Sequence, residues 1–192
     1  LREERIMKIA ITGATGLIGT RLVQVLKARG DEVTVLSRSP QRAAAALDVE
    51  AIGWDSLAEP APPEALSGRD AVIHLAGEPV AQRWTAESKK AIRESRELGT
   101  RNLVAGIAAS QPRPTVLLSS SAVGYYGKHG DELIDERSAP GADFLAGVCV
   151  AWEREAAAAE TLGLRVVMIR TGVVLDASGG ALKTMLPPFK AG

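Results

Sequence analysis

A short β-branched run, Ile6 to Ile11, breaks into Thr12-Gly13-Ala14-Thr15-Gly16-Leu17-Ile18-Gly19, and from Leu17 to Arg29 apolar residues recur at Leu17, Ile18, Leu22, Val25 and Leu26. That pattern predicts strand, tight turn and helix in immediate succession. A helix N-terminus presents unpaired backbone N–H groups and the positive end of its dipole, so backbone brought close to it can hold a pyrophosphate. In such a turn Gly13 permits the sharp bend, Gly16 the close approach and Gly19 the tight packing of helix on strand. The G-x-x-G-x-x-G spacing is one residue longer at its start than the G-x-G-x-x-G of many dehydrogenases. Its place between a strand and a helix makes it a dinucleotide-binding signature and not merely a flexible turn.

The alternation then repeats. Strands are expected at residues 32–37, 49–53, 71–75, 115–120 and 165–170, with helices at 40–47, 85–109 and 144–162. Strands separated by helices pair in parallel through right-handed crossovers, so the fold class is α/β, a doubly wound parallel sheet of Rossmann type. Residues 59–63 and 128–141, rich in proline, glycine and charge, read as loops. With 192 residues, 46% of them hydrophobic, the chain supports one well-packed domain.

Charge narrows the choice of partner. Lys plus Arg and Asp plus Glu balance at 23 each, which leaves no bulk field to draw the chain onto nucleic acid or an anionic membrane. A small molecule is the expected partner. Cys149 is the only cysteine, so an internal disulfide and a cysteine-built zinc site are excluded, in keeping with a reducing compartment. The apolar runs are short and interrupted, and residues 1–6 are charged and not signal-like, so a cytoplasmic protein without membrane insertion is expected.

The end of the second strand bears on the choice of dinucleotide. Roughly twenty residues past the last glycine, an NAD-binding domain places an Asp or Glu on the adenosine ribose. This chain has Ser37-Arg38-Ser39 there. Arg38 can meet a 2′-phosphate with a forked guanidinium and the serines can add hydroxyl donors, which points to NADP(H) over NAD(H). An ordinary exposed arginine at a strand end is the other reading.

The turn at Thr12 to Gly19, His74-Leu75-Ala76-Gly77 after the fourth strand and Ser119-Ser120-Ser121 at the end of the fifth resemble the extended short-chain dehydrogenase/reductase superfamily. More closely, the chain resembles its atypical "epimerase family protein" branch, of the NAD-dependent epimerase/dehydratase or nucleoside-diphosphate-sugar epimerase kind. The markers are Gly77-Glu78-Pro79, Arg83-Trp84, Ser95-Arg96, Gly99-Thr100, Ser120 with Ala122 to Gly127, Cys149 with Trp152-Glu153, and Arg170 to Leu175, and the likeness runs from Met7 almost to the end. The resemblance implies a dinucleotide-binding domain over residues 7–176, with 177–192 as the start of a truncated substrate region, and residues 1–6 as an extension. It implies that Gly13, Thr15, Gly16, Leu17 and Ile18 hold the pyrophosphate and that Ser37 and Arg38 face the adenosine ribose. Trp54 and Asp55 are then expected near the adenine, Leu75, Ala76 and Gly77 under the cofactor, and Ser119 to Ser121 by the nicotinamide. His74, with no partner evident in the sequence, is read as a structural imidazole, and Trp84 and Trp152 as core or interface aromatics.

One departure bears on chemistry. The superfamily's Tyr-x-x-x-Lys pair, in which lysine lowers the phenol pKa and tyrosine exchanges a proton with substrate, falls here on Leu145 and Cys149. Tyr125 and Tyr126 are the only tyrosines, and no lysine occurs between Lys128 and Lys183. Two classes of function remain open. One is an NADP-dependent oxidoreductase or epimerase-like enzyme, acting on a sugar nucleotide or carbonyl compound, that draws its acid/base group from Ser121, Tyr125, Tyr126 or Cys149. The other is a catalytically degenerate module that senses or binds the nicotinamide dinucleotide. The resemblance also implies a homodimer through residues 85–109 and 144–162, whose apolar residues include Ile92, Leu103, Ile107, Leu145, Val148 and Trp152.

Overall fold

The computed structural model describes residues 5–177 and 179–191; residues 1–4, most of the expected N-terminal extension, lie outside them. The chain runs β1 (Lys8–Thr12), α1 (Leu17–Arg29), β2 (Glu32–Ser37), α2 (Pro40–Leu47), β3 (Glu50–Gly53), α3 (Pro63–Leu66), β4 (Ala71–His74) and α4 (Ala86–Ala109). It continues through β5 (Val116–Ala122), α5 (Phe144–Ala157), β6 (Arg165–Thr171), a short β7 (Leu175–Asp176) and α6 (Gly180–Ala191). Strands β1 to β6 form one sheet in the order β3-β2-β1-β4-β5-β6, every pair parallel. This is the doubly wound Rossmann-type order. It reverses between β1 and β4, opening a crevice at their carboxyl ends where such sheets take ligands.

Alternation along the strands divides the core in two. Ile9 and Ile11 of β1 pack with Val23, Leu26, Val35 and Ile73 on the α1/α2 face. Ala10 turns to the opposite face with Val72, Leu103, Ile107 and Leu117, under α4 and α5. Burial on both faces explains why these strands read as continuous apolar runs. Local signals close the helices. Gly30, left-handed at φ 89°, ends α1 behind Lys27 and Arg29, and Thr85 with Ser88 forms a reciprocal capping box at the start of α4.

Three elements depart from the sequence expectation. The helix expected over residues 144–162 tightens after Ala157 into a 3-10 turn, Ala158–Leu162, stopped by left-handed Gly163 at φ 87°. The single turn α3 begins at Pro63, the last residue of the loop expected over 59–63, and is too short to show periodicity. The β7 and α6 hairpin-like excursion was not foreseen; Leu175 and Asp176 bridge to Gly180 and Gly179. Of the residues named for the expected dimer faces, Ile92, Leu103, Ile107, Val148 and Trp152 are buried within this chain and Leu145 is half-buried. The α4–α5 seam outside them carries charge, with Arg101 bridging Glu155 and Arg154 bridging Glu97. Among the described residues no helix is long and apolar enough to cross a membrane.

A candidate dinucleotide site at the sheet crevice

The glycine turn is built tightly against the exit of β4. Gly13 has φ +69°, and a Cβ there would stand 2.6 Å from Ala76 N and Leu75 C. Gly16 caps α1 with extended backbone and no side-chain cap, its N–H donating to Gly13 O at 3.1 Å, and no acidic residue stands in the first helical turn. The helix N-terminus is therefore open toward an anion.

Of the three cavities that border this turn, two share Gly13, Gly16 and Leu75 as a wall. The first, about 510 Å³, takes in Thr15, Ser37, Arg38, Trp54, Ala76 and Gly77. The second, about 320 Å³, takes in Leu17, Ile18, Ser120, Val173 and Val174. The glycine turn thus has a chamber on each side. Arg42 and Ser56 also line the first cavity, and no carboxylate does among the described residues. Arg42, in the first turn of α2, was missed in the sequence, because Arg38 lies outside the helix and no helical spacing links the two.

Two residues expected at the cofactor line neither cavity. Asp55 does not line either cavity: its carboxylate accepts from Leu57 N at 3.1 Å and closes a turn, leaving Ser56 on the cavity wall. Ser119 is buried on the α4/α5 face of β5, with its Oγ donating to Ser120 O at 3.2 Å, and the pleat delivers Ser120 to the second cavity in its place.

His74 has partners after all. Its Nδ1 lies 2.7 Å from Thr12 Oγ1 and its Nε2 3.0 Å from Thr100 Oγ1, so a neutral imidazole, donating through one nitrogen and accepting through the other, satisfies both. Ala76 N donates to the same Thr12 Oγ1 at 3.3 Å, which ties the β4 exit to the end of β1. Burial, reinforced by the charge of Arg96, pulls the imidazole down from its ordinary 6.5 to about 4. Between those values the unfolded chain binds a proton that the folded chain refuses. The contribution of His74 is thus complete above about pH 6.5 and declines as pH falls toward about 4, by up to about 3 kcal/mol. Denaturant unfolding at pH 7 and pH 4.5 should show a smaller acid loss in His74→Asn than in the unmutated protein. Equal losses would mean that His74 is not held neutral.

The four catalytic candidates gather at the end of β5 but line neither cavity. Ser121 Oγ donates to Glu153 Oε1 at 2.6 Å, and Arg170 grips Glu153 through Nε and Nη2 at 2.8 Å each. Arg170 Nη1 donates to the Tyr126 hydroxyl at 2.8 Å, while its guanidinium lies 3.5 Å from the centre of the Tyr125 ring. Burial pushes the Glu153 carboxyl up, but the hydrogen bonds from Arg170 and Ser121 outweigh it and hold the group below its ordinary range. Burial raises the Cys149 thiol, which keeps it protonated beside Ser121 and Ala122. A buried, protonated thiol packs and does not attack. Glu153 and Arg170 entered the sequence reading only as family markers, and nothing in their spacing announced the ion pair.

Comparison with known proteins agrees with this geometry. The model of the NAD dependent epimerase/dehydratase family matches residues 9–178. An "epimerase family protein SDR39U1 homolog, chloroplastic" from Arabidopsis thaliana is 42% identical over 192 residues, which cover 98% of this chain and 55% of that protein. The chain thus spans little more than half of that relative's length. The crystal structure of a nucleoside-diphosphate sugar epimerase from Corynebacterium glutamicum matches with a TM-score of 0.81 at 40% identity, over 98% of this chain and 38% of the other. That of human epimerase family protein SDR39U1 (isoform 2) with NADPH matches with a TM-score of 0.79 at 34% identity, over 97% and 60%. A family match across the whole sheet, with the glycine turn at the strand-order reversal, means that the chain belongs to the NAD dependent epimerase/dehydratase family.

Proposed function

We propose that the chain binds NADP(H) in preference to NAD(H) and serves an oxidoreductase or epimerase-like reaction on a small carbonyl compound or sugar nucleotide. One observation carries the cofactor choice: Arg38 and Arg42 flank the first cavity without a hydrogen bond or ion pair to any described residue, and no described carboxylate lines it. Two free guanidiniums at the N-terminus of α2 suit a 2′-phosphate, with Ser37 and Ser39 as hydroxyl donors. The turn from Gly13 to Ile18 would hold the pyrophosphate, and the wall of Ser120, Val173 and Val174 would receive the nicotinamide end. The NADPH of the human relative supports this assignment. When bound, the cofactor supplies or accepts a hydride; orienting it and excluding water fall to this chain. A binding or sensing module is the second reading, favoured by the loss of the Tyr/Lys pair to Leu145 and Cys149 and by the engagement of Ser121 with Glu153.

Calorimetric titration decides the preference. NADPH should bind roughly tenfold to a hundredfold tighter than NADH, and Arg38→Ala or Arg42→Ala should remove most of the difference while sparing NADH. Equal affinities in the unmutated protein would refute the assignment. Following nicotinamide absorbance against sugar nucleotides and small carbonyl compounds, with the complete protein, separates enzyme from sensor.

A further inference from the structure

Outside both cavities, α4 turns Lys89, Arg93 and Arg96 to one side, and each meets an aromatic ring. Lys89 Nζ lies 5.8 Å from the centre of Trp84 and 5.4 Å from that of Phe144. Arg93 Cζ lies 5.9 Å from Phe144, and Arg96 Cζ 5.0 Å from Trp152. Trp84 precedes α4 and packs edge to face on Phe144 at 5.5 Å, while Phe144 and Trp152 belong to α5. Of the two tryptophans expected as core or interface aromatics, Trp152 is buried and Trp84 is 43% exposed.

None of the three cations forms an ion pair with a described carboxylate; along α4 those pairs are made by Lys90 with Glu94 and Arg101 with Glu97. Arg96 is half-buried and spends Nη1 on neutral acceptors, Glu78 O at 3.0 Å and Ile92 O at 3.1 Å. The Glu78 carboxylate acts on it only through space. Its Nε and Nη2 donate to no described residue. Nη2 sits 3.2 Å from where a Cβ of Gly77 would be, so the guanidinium rests on the last residue lining the first cavity. Trp152, beneath it, holds the one buried side-chain donor without an acceptor among the described residues, Nε1. Arg96 also acts electrostatically on Cys149, the position to which the family resemblance assigns the missing lysine. A guanidinium held by ring faces and carbonyls, with donors to spare and no carboxylate in ion-pair contact, keeps hydrogen-bonding capacity for an external anion.

We propose that this ledge of aromatic-backed cations, with Arg96 innermost, seats an oxyanion of the substrate, so that the small molecule of the reading above carries a phosphate or carboxylate group. The proposal rests on that reading for the word substrate, and on the ledge alone for the anion.

The three tryptophans allow the two to be tested apart, because Trp54 lines the first cavity while Trp84 and Trp152 belong to the ledge. Isotope-labelled protein is saturated with NADP⁺ and titrated with inorganic phosphate and, separately, malonate, while the three indole N–H resonances are followed. Saturable shifts of Trp84 and Trp152 with Trp54 unmoved are expected; the anion that produces them identifies phosphate or carboxylate as the group. Arg96→Gln should weaken that titration at least about tenfold. Lys89→Gln, on the exposed surface where folding is not at risk, should weaken it roughly twofold to fivefold. Absence of saturable shifts with either anion, or titrations unchanged in both variants, overturns the proposal. Shifts that follow protein concentration and not anion would also overturn it, by making the ledge a contact between copies. Failure of NADP⁺ to move Trp54 would instead defeat the cofactor reading, and the anion titration in the same sample would still judge the ledge.

Discussion

Gly13→Ala is expected to abolish measurable dinucleotide binding and to destabilise the fold by about 2–5 kcal/mol. The residue sits at φ +69°, and its Cβ would stand 2.6 Å from Ala76 N and Leu75 C and 2.8 Å from Leu75 O. All three are backbone atoms at the exit of a central strand, so no rotamer change relieves the overlap. The turn would be driven off β4, and both cavities share Gly13 as a wall. Gly16→Ala provides the contrast, since its Cβ would meet only Gly13 O at 3.3 Å. That variant should stay close to full stability while losing affinity, because the added methyl stands on the wall shared by the two cavities. Thermal unfolding alongside NADPH calorimetry separates the two effects. Gly13→Ala that binds NADPH within about threefold of the unmutated protein would show that the turn is not the pyrophosphate cradle.

The second large effect concerns Glu153, which joins α5 to β6 and to the 3-10 turn Val123–Tyr126 through Arg170 and Ser121. Glu153 and Arg170 side chains are only 11% and 17% exposed, so Glu153→Ala leaves a largely desolvated guanidinium without its anion. A cost of about 3 kcal/mol is expected, at the low end for a buried pair because some solvent reaches both groups. For a chain of this size that lowers the melting temperature by roughly 6–12 °C. The acid response follows from the lowered carboxyl. Its stabilisation is complete above the unfolded carboxylate value and is lost as pH falls through the lower folded value, so Glu153→Gln should flatten the acid limb of a stability profile. Arg170 also holds Glu136 O at 3.2 Å, so the loop over residues 128–141 should become more open to proteolysis in the variant. NADPH affinity should change little, because none of these residues lines either cavity. A loss below about 1 kcal/mol would mean that solvent screens the network as it does a surface pair.

Much of this molecule was legible because its signals are local. The bounds of α1, α2 and β2 follow from helical and strand periodicity together with Gly30, Ser39 and Pro40 at their ends. Ser37 and Arg38 line the first cavity, at the distance along the chain from the glycine turn where a βαβ unit is expected to meet a ribose. The phase of a pleat was not legible in the same way. Three consecutive serines carry no polar/apolar alternation in the sequence, so all three were expected near the nicotinamide; the fold buries Ser119 and Ser121 and sets half-buried Ser120 on the second cavity. Asp55 failed for a related reason, since a short polar side chain near a turn serves the backbone as readily as a ligand.

What the residues determined alone was therefore the βαβ order, the doubly wound class and the position of the glycine turn at the crevice, all set by spacings of a few residues. What required the tertiary structure was every contact between distant segments: His74 with Thr12 and Thr100, Glu153 with Arg170, and Arg96 against Gly77 and Trp152. The tertiary structure also showed that the apolar faces of α4 and α5 serve the chain's own core. An apolar helical stripe has the same sequence pattern whether it meets its own sheet or another molecule, and an arginine looks the same whether or not a carboxylate awaits it. Only the packing of the sheet brings the partner into reach or leaves the charge without one.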